Sequence, residues 1–437
     1  MASPRTEAVK LLMKIEKDSS YSALSLSAML KKSDFSDVRD VNFASALLYG
    51  VLEHKITLDY NIALYLNSSI SKLKPAVLNI LRVGAFQLLY LDKIPVSAAV
   101  NESVKISKKL NASYASGLIN AVLRKISANG LKLPVNGSDA YVLSVKYSVD
   151  ETIVGCLIRD YGVDKTREFL DVYNGRRPIF IRRNSLLCSD SELINSLSED
   201  GVSVSCTDLD GCFSVAHTGD IAELNAYKNG LFHVQDKSSQ FCCKILDVKE
   251  GDSVLDCCAA PGGKSFTVAQ YLNKNGNLLS CDIFEHKTKL ILSGAERLGI
   301  DNISVECIDA RELGNKYSEF DKVLCDVPCS GFGVIGRKPE IRYKSYDDVK
   351  DLPEIQRQIL YSCAATVKKG GVLVYSTCTL NKEENDLVCE RFLNDFPDFS
   401  IADDDYYRCF TDNYITVFPD KSGGDGFFIA KFYKGKN

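Results

Sequence analysis

Two short stretches of this 437-residue chain each place a cysteine directly after an apolar run. In "LCDVPCSGFG", residues 324–333, the thiol is Cys329, and in "VYSTCTLNKEEN", residues 374–385, it is Cys378. Each apolar run has the length and composition of a buried strand. A deprotonated thiol at a strand end can act as a nucleophile. Buried cysteines are also common as small apolar side chains, and two neighbouring thiols can form a disulfide, so both of these interpretations stay open as well.

The chain around both cysteines predicts the sheet that would position them. From about residue 231, apolar runs alternate with helical patterns, which is typical of a doubly wound parallel sheet. Parallel strands end at the same edge, so we expect both thiols and Asp326 to converge there, whereas Cys281 and Cys325 lie in mid-strand and are expected in the core. The five runs are "DSVLDCCAA", "NLLSCDI", "NISVECID", "DKVLCDVP" and "GGVLVYSTC".

The first of these runs ends in a glycine-rich turn, "DCCAAPGGKS", residues 256–265. Gly262 and Gly263 would let backbone N–H groups approach a ligand at the start of a helix. Asp282, predicted to end the second strand, could accept hydrogen bonds from ribose hydroxyls, and Asp309, predicted to end the third, could reach an adenine amino group. This turn contains neither G-x-G-x-x-G nor G-x-x-x-x-G-K-[ST], so S-adenosylmethionine fits it better than a dinucleotide or ATP.

A methyl donor beside two thiols suggests a particular chemistry. Carbon 5 of a pyrimidine is too weak a nucleophile to attack a methyl sulfonium unaided. Addition of a thiolate to carbon 6 turns the ring into an enamine whose carbon 5 can attack. One cysteine would therefore be the nucleophile, and a second could assist the breakdown of the adduct.

Residues 1–130 are predicted to form helices only. This segment has 17 Lys and Arg against 10 Asp and Glu, a net charge of +7, whereas the rest of the chain carries −11. A basic segment attached to an acidic body suggests a polyanion-binding domain, although a solvated helical surface is an alternative. The stretches 39–59 and 94–126 resemble the NusB family, a small helical RNA-binding fold. Several basic residues of segment 1–130 lie close together in the sequence: Lys105, Lys108, Lys109, Arg124 and Lys125.

Residues 128–139 have the composition of a linker, and residues 140–230 are predicted to form a small α/β RNA-binding segment. The stretch "NGRRPIFIRRNSL" predicts a strand with four arginines, which could contact RNA phosphates or pair with neighbouring acids. The four are Arg176, Arg177, Arg182 and Arg183.

Composition excludes several classes of protein. No run of 18 uncharged apolar residues is present, so we expect no membrane association, and the N-terminal stretch lacks the apolar core of a signal peptide. The sixteen cysteines begin only at Cys156 and include no C-x-x-C pair, while the four histidines are scattered. We therefore expect reduced thiols in a cytoplasmic protein without a bound metal.

Several motifs, in order, resemble the RNA (cytosine-5) methyltransferase family: "DCCAAPGGKS", "DVPCSGFGVIGRKPEI", "EIQRQIL" and "YSTCTLNKEEN". Together with the NusB-like front, nearly the whole chain is similar to the RsmB/Sun/Fmu type of 16S ribosomal RNA methyltransferase. The resemblance implies a multidomain protein: an all-α NusB-like bundle (1–130), the small α/β segment (140–230) and a C-terminal α/β Rossmann-like methyltransferase domain (231–437). It implies a protein that methylates carbon 5 of a cytosine in small-subunit ribosomal RNA, and we expect a monomer.

The resemblance also implies roles for individual residues. Cys378 would be the nucleophile and Cys329 would assist product release, the reverse of the order in DNA cytosine-5 methyltransferases. Asp326 would line both the cofactor and cytosine sites, and Lys264 would contact the cofactor and also the base. Asp282 would bind ribose and Asp309 would lie against adenine. The remaining cofactor-binding residues would be Cys258, Ala259, Ala260, Pro261, Gly262 and Gly263.

Three positions depart from the family pattern: Phe332, Gly336 and Tyr343 stand where relatives usually have threonine, arginine and, often, tryptophan. We expect them on the RNA-facing side. The alternatives to the leading hypothesis are the same chemistry on transfer RNA or another ribosomal RNA site, a non-catalytic RNA-binding factor, and a redox protein that uses Cys329 and Cys378 as a disulfide pair.

Overall fold

The computed structural model describes residues 3–18, 35, 37–173, 177–411, 413–420 and 422–435. The chain divides into two compact units. The first comprises Met1–Asp171 and Arg337–Tyr346, and the second comprises Val172–Gly336 and Asp347–Asn437. The boundaries near 130 and 230 do not coincide with this division, so the three-segment organisation stays a prediction. In the described part of the chain, no helix has the length and apolarity needed to cross a membrane.

The first unit is a helical bundle, as predicted for its first 130 residues. Pro75 occupies the first turn of its helix and Pro95 caps the next one, positions where a missing N–H costs little. The basic cluster lies on two neighbouring helices, and all five of its side chains are exposed. The helices are α1 (Pro4–Asp18), α2 (Val38–Glu53), α3 (Lys55–Ala63), α4 (Pro75–Tyr90), α5 (Val96–Lys109), α6 (Ser116–Asn129), α7 (Asp139–Tyr147), α8 (Glu151–Tyr161) and α9 (Val163–Val172).

A buried arginine joins three of these helices. Arg82 of α4 donates two hydrogen bonds of 2.7 Å to the carboxylate of Asp59 in α3, and a third to Glu16 in α1. A buried guanidinium is tolerated only when its donors are matched, and two carboxylates meet that condition here. Arg82 is therefore one basic residue of segment 1–130 that is paired inside the bundle and does not lie at the surface.

Of the three positions that depart from the family pattern, Phe332 is buried whereas Gly336 and Tyr343 are partly exposed, and that they face RNA stays a prediction. Phe332 is fully buried, and the Tyr343 hydroxyl donates to the carbonyl of Leu52 within the first unit. A Cβ added at Gly336 would lie 2.5 Å from the ring of Tyr173, so a longer side chain needs that ring to move.

The second unit contains two sheets, of which the smaller is antiparallel with strand order β2-β3-β1-β4. Its apolar core is formed by Ile181, Leu193, Leu197, Phe213 and Phe232. Its strand β1 is the one that the sequence predicted in the arginine-rich stretch. Its elements are β1 (Ile179–Arg183), α10 (Asp190–Glu199), β2 (Ser203–Cys206), β3 (Cys212–Ala216), α11 (Asn225–Lys228) and β4 (Phe232–Val234).

The arginines of this stretch make contacts within the protein. Arg177 donates to the carbonyl of Gly423 at 2.7 Å, and Arg183 donates to the carbonyl of Cys188 at 2.7 Å and pairs with Asp190. Arg182 is 4% exposed and donates to a backbone carbonyl. Of the two interpretations left open, pairing with a neighbouring acid holds for Arg183, whereas Arg177 and Arg182 donate to backbone carbonyls within the protein. Arg176 lies outside the described residues.

The larger sheet has the order β10-β12-β9-β8-β5-β6-β7, with β11 paired to β12. The adjacent strands β9, β8, β5, β6 and β7 are parallel and correspond to the five predicted runs. Strand β12 pairs with β9 in the antiparallel direction. The elements are α12 (Lys237–Ile245), β5 (Ser253–Asp256), α13 (Gly263–Tyr271), β6 (Asn277–Asp282), α14 (Glu285–Arg297), β7 (Ile303–Cys307), α15 (Leu313–Lys316), β8 (Phe320–Asp326), α16 (Leu352–Thr366), β9 (Val367–Thr377), α17 (Asp386–Asp395), β10 (Phe399–Ile401), α18 (Asp405–Arg408), β11 (Ile415–Val417) and β12 (Phe427–Lys434).

Helices cover both faces of this sheet, which confirms the doubly wound Rossmann-like fold. Successive strand residues point to opposite faces, so Val254 belongs to the core beneath α13 and α14 while Leu255 belongs to the core beneath α16 and α17. Cys281 and Cys325 are fully buried, as predicted. The strand order changes direction between β5 and β8, and ligands of such sheets bind where this happens, beyond the carboxyl ends of the strands.

Three buried cysteines from separate elements meet in this core. Cys257, Cys325 and Cys363 place their sulfur atoms within 4.8 Å of one another. Sequence spacing did not predict the cluster because the three residues are far apart along the chain. Their apolar surroundings fit the ordinary role of cysteine as a small core side chain.

The last residue of β5, Asp256, is a buried carboxylic acid at the centre of the sheet. Burial raises its pKa to about 7, although the Ser265 hydroxyl donates a 2.7 Å hydrogen bond that favours the charged form. The folded protein therefore holds this proton to a higher pH than the unfolded chain does.

We expect Asp256→Asn to change how the free energy of unfolding depends on pH. The stability that wild type gains from binding this proton is present at low pH and is lost as pH rises toward 7, with a slope of up to about 1.4 kcal/mol per pH unit. Between pH 5 and 7, the free energy of unfolding of wild type should therefore fall relative to that of the variant. Above pH 8, the difference between the two free energies should be constant. Urea denaturation of both proteins across this range measures it, and parallel curves would contradict the raised pKa.

Candidate active site

The turn between β5 and α13 forms the floor of the candidate site. The amide of Ala259 donates to the carbonyl of Cys281 in the neighbouring strand at 2.8 Å, which holds the turn against β6. Gly262 has a φ of +110°, and a Cβ there would lie 2.3 Å from the ring of Phe266. Only glycine meets both constraints. Because Gly262 and Gly263 have no side chain, a ligand can approach the backbone N–H groups at the start of α13. Cys258, Ala260 and Pro261 complete this turn, and Gly263 opens the helix.

Asp282 and Asp309 follow neighbouring strands of the same edge. Asp282 is the last residue of β6, as predicted, and its carboxylate accepts a 3.1 Å hydrogen bond from the amide of Phe284. The third strand ends at Cys307, two residues earlier than predicted, and Asp309 instead caps a short 3-10 helix. Hydrogen bonds from Arg311 hold the pKa of Asp309 below its usual range, so this carboxylate stays charged.

Lys264, Asp326 and Ser376 form a hydrogen-bonded group across three elements. The ammonium of Lys264 donates to Oδ2 of Asp326 at 2.7 Å, and the hydroxyl of Ser376 donates to Oδ1 at 2.7 Å. Burial alone would lower the pKa of Lys264, but the Asp326 carboxylate outweighs it and the pKa is raised. The site therefore carries a charged lysine and carboxylate at the ends of α13 and β8.

The two cysteines with which the sequence analysis began lie side by side. Their sulfur atoms are 3.2 Å apart, both side chains are partly exposed, and the two residues do not form a disulfide. The hydrogen bond with Cys378 and burial together raise the pKa of Cys329 well above the usual value for a thiol. Cys329 therefore keeps its proton and can donate it to the sulfur of Cys378. The convergence predicted for Asp326, Cys329 and Cys378 is what the structure shows.

A buried carboxylate that the sequence analysis did not single out connects the two cysteine loops. Glu384 is fully buried, and its Oε2 accepts hydrogen bonds from the amide of Ser330 and the side chain of Gln356, each at 2.9 Å. The stretch "YSTCTLNKEEN" contains it, but two adjacent glutamates in a polar sequence give no sign that one is buried. Gln356 was likewise missed, because it lies on α16 and only the tertiary structure brings it to this loop.

Comparison with known proteins supports the assignment of both parts of the chain. Residues 243–433 match the family described as 16S rRNA methyltransferase RsmB/F, and residues 2–128 match the NusB family. The chain is 36% identical to a probable ribosomal RNA small subunit methyltransferase B of Bacillus subtilis, with 99% of each chain covered. A protein of the same name from Synechocystis is 31% identical, covering 99% of this chain and 100% of the relative.

A solved structure has the same fold over the whole length. The crystal structure of PH0851 superposes with a TM-score of 0.83 at 26% identity and covers 99% of both chains. The helical front, the doubly wound sheet and the sequence matches agree with one another and confirm the resemblance found from the motifs. The chain belongs to the RsmB/F family of 16S rRNA methyltransferases and carries a NusB-family domain at its front.

Proposed function

We propose that this protein transfers a methyl group from S-adenosylmethionine to carbon 5 of a cytosine in small-subunit ribosomal RNA, and that it does so in the cytoplasm. The observation that carries the proposal is the pair of partly exposed thiols, 3.2 Å apart, at the strand ends where Asp326 holds Lys264. A methyltransferase acting on oxygen or on an amine needs no thiol nucleophile. Carbon 5 of cytosine does need one, because the ring must first be activated by addition at carbon 6.

The cofactor supplies an electrophilic methyl group on a sulfonium. The residues present fit its nucleoside, since Asp282 and Asp309 offer carboxylate acceptors where ribose hydroxyls and an adenine amino group offer donors. The turn of residues 258–264 allows close approach of a ligand to the backbone because Gly262 and Gly263 have no side chain.

Each residue of the thiol pair has a separate role in the proposal. The thiolate of Cys378 forms a bond to carbon 6 of cytosine, and the displaced electron pair moves to carbon 5, which takes the methyl group. Asp326 lies beside the ring nitrogen 3, where a carboxyl group favours the addition, with Lys264 holding that carboxyl in place. The raised pKa of Cys329 favours its protonated form, which supports Cys378 as the attacking sulfur.

The adduct must then break down. Solvent water takes the proton from carbon 5, the electron pair of that C–H bond re-forms the double bond to carbon 6, and Cys378 departs as a thiolate. Cys329, in contact with the Cys378 sulfur, is placed to assist this elimination. The same chemistry on transfer RNA or on another ribosomal RNA site is the alternative, and bisulfite sequencing of RNA from a deletion strain separates these substrates. A non-catalytic RNA-binding role would leave the thiol pair and the Lys264–Asp326 pair without a purpose.

We expect Asp282→Ala to weaken binding of S-adenosylmethionine or its demethylated product by ~1–3 kcal/mol, because a ribose hydroxyl loses its acceptor. Isothermal titration calorimetry measures this affinity. Asp301→Ala, which changes an exposed aspartate just before β7, is the control and should bind like wild type. Unchanged affinity in the Asp282 variant would refute the ribose contact.

Substitution of the two thiols should separate formation of the adduct from its breakdown. Cys378→Ala should abolish methylation and form no covalent complex, since no sulfur attacks carbon 6. Cys329→Ala should still form the complex and release it slowly, so a denaturation-resistant protein–RNA band should accumulate on a gel. The double variant should show none.

The control for this experiment is Cys206→Ala, which removes an exposed thiol from the smaller sheet and should behave as wild type. A band that appears in Cys378→Ala instead would reverse the two roles. Full activity in both single variants would rule out the covalent mechanism.

The exposed basic cluster of the first unit should act as an electrostatic anchor for RNA. Replacing Lys105, Lys108 and Lys109 of α5 by glutamine should weaken RNA binding and reduce the slope of log affinity against log salt by about 2, because three phosphate contacts are lost. Fluorescence anisotropy at several salt concentrations measures both. The control replaces Lys10, Lys14 and Lys17 on α1 by glutamine, which removes the same charge. An equal loss of RNA affinity in this control would contradict an anchor located on α5.

A further inference from the structure

The carboxylate of Glu384 is buried without a cation. Its side chain is 0% exposed, and no described lysine or arginine forms an ion pair with it. Three N–H donors surround it instead: Ser330 N and Gln356 Nε2 on Oε2, and Asn381 Nδ2 on Oε1 at 3.1 Å. A buried charge is costly, and hydrogen bonds to it are stronger than those between neutral groups. Both carboxylate oxygens are pure acceptors, so all three donors can be matched at once.

These donors come from the segments that carry the two thiols. Ser330 follows Cys329 directly, and the Nε2 of Gln356 also donates to the carbonyl of Pro328, which precedes it, at 3.0 Å. The polypeptide on both sides of Cys329 is thus tied, directly or through Gln356, to one carboxylate.

The loop that carries Cys378 is held by hydrogen bonds to residues next to those that bind Glu384. Thr379 Oγ1 lies 2.7 Å from Ser330 Oγ, which joins the residues that follow the two cysteines. Thr377 donates at 2.6 Å to the side chain of Asn385, the residue next to Glu384. Both cysteines are therefore flanked by hydrogen bonds that lead to Glu384 or its neighbour.

From this network we infer that Glu384 is a positioning residue: its carboxylate sets the separation of the Cys329 and Cys378 sulfur atoms by holding the two loops together. The sulfur separation can be measured without RNA. The consequence for methylation rests on the proposed function, because only the covalent route needs both thiols next to one another. A glutamine has the shape of Glu384 but would turn an N–H₂ group toward N–H donors, so Glu384→Gln should let the loops move apart.

The first test uses the rate at which the two thiols form a disulfide. Diamide is a two-electron oxidant that removes both thiol hydrogens as one S–S bond forms, and peptide mapping by mass spectrometry identifies the pair. A displacement of about 1 Å can cost roughly 10²-fold in the rate of a reaction between positioned groups, and we expect a loss of that order in Glu384→Gln. Glu390→Gln, an exposed glutamate on α17, should react like wild type.

The second test measures methyl transfer to ribosomal RNA. Glu384→Gln should lower kcat while KM for RNA and the affinity for S-adenosylmethionine stay the same, because Glu384 is placed to hold the thiols and to contact neither ligand. Gln356→Leu keeps the carboxylate but removes the link to Pro328, so it should slow disulfide formation and methylation in the same way. A purely electrostatic effect of Glu384 on the thiols would leave Gln356→Leu unchanged and would overturn the inference.

The two tests fail separately. Wild-type protein that methylates no RNA would overturn the proposed function, while the diamide rates would still decide whether Glu384 positions the thiols. An unchanged diamide rate in a folded Glu384→Gln protein, with a normal melting transition, would overturn the inference. Should that variant not fold, Gln356→Leu decides by the same rate.

Discussion

The carboxylate of Asp326 is the point on which the candidate site depends. It accepts a hydrogen bond from Lys264 at the start of α13 and another from Ser376 near the end of β9, while itself ending β8. Three separate segments of chain are thereby held at one edge of the sheet. The arrangement is possible because β5, β8 and β9 are adjacent and parallel, so that their carboxyl ends meet. In a different strand order the same residues would be far apart.

The same residue type serves two purposes in this domain, and the environment separates them. Cys257, Cys325 and Cys363 are fully buried among apolar side chains, with their sulfur atoms within 4.8 Å of one another. Cys329 and Cys378 lie on loops beyond the strands, partly exposed and in contact through their sulfur atoms. Of these five thiols, the three buried ones fill space in the core, and Cys329 and Cys378 are the two that solvent can reach. Counting cysteines along the chain cannot make this distinction.

Buried charges elsewhere in the molecule follow the same rule. Arg82 is matched by two carboxylates in the helical unit, Arg177 and Arg182 by backbone carbonyls, and Glu384 by N–H donors alone. Each makes at least one hydrogen bond, because a buried charge without any partner would cost several kcal/mol. For the arginines, the outcome removes them from the set of side chains that could contact RNA. The exposed lysines of α5 and α6 remain as the basic surface of the first unit.

The sequence by itself determined the elements and the edge at which the chemistry lies. Helical periodicity predicted the bundle, alternating apolar runs predicted the parallel sheet, and cysteines placed after two of those runs predicted that Cys329 and Cys378 would meet. These features are local, so spacing along the chain is enough to show them. Only the tertiary structure decided which polar groups pair: Arg82 with Asp59, Lys264 with Asp326, and Glu384 with Gln356. Burial and long-range hydrogen bonds depend on how distant segments pack, and no pattern of residue types records that.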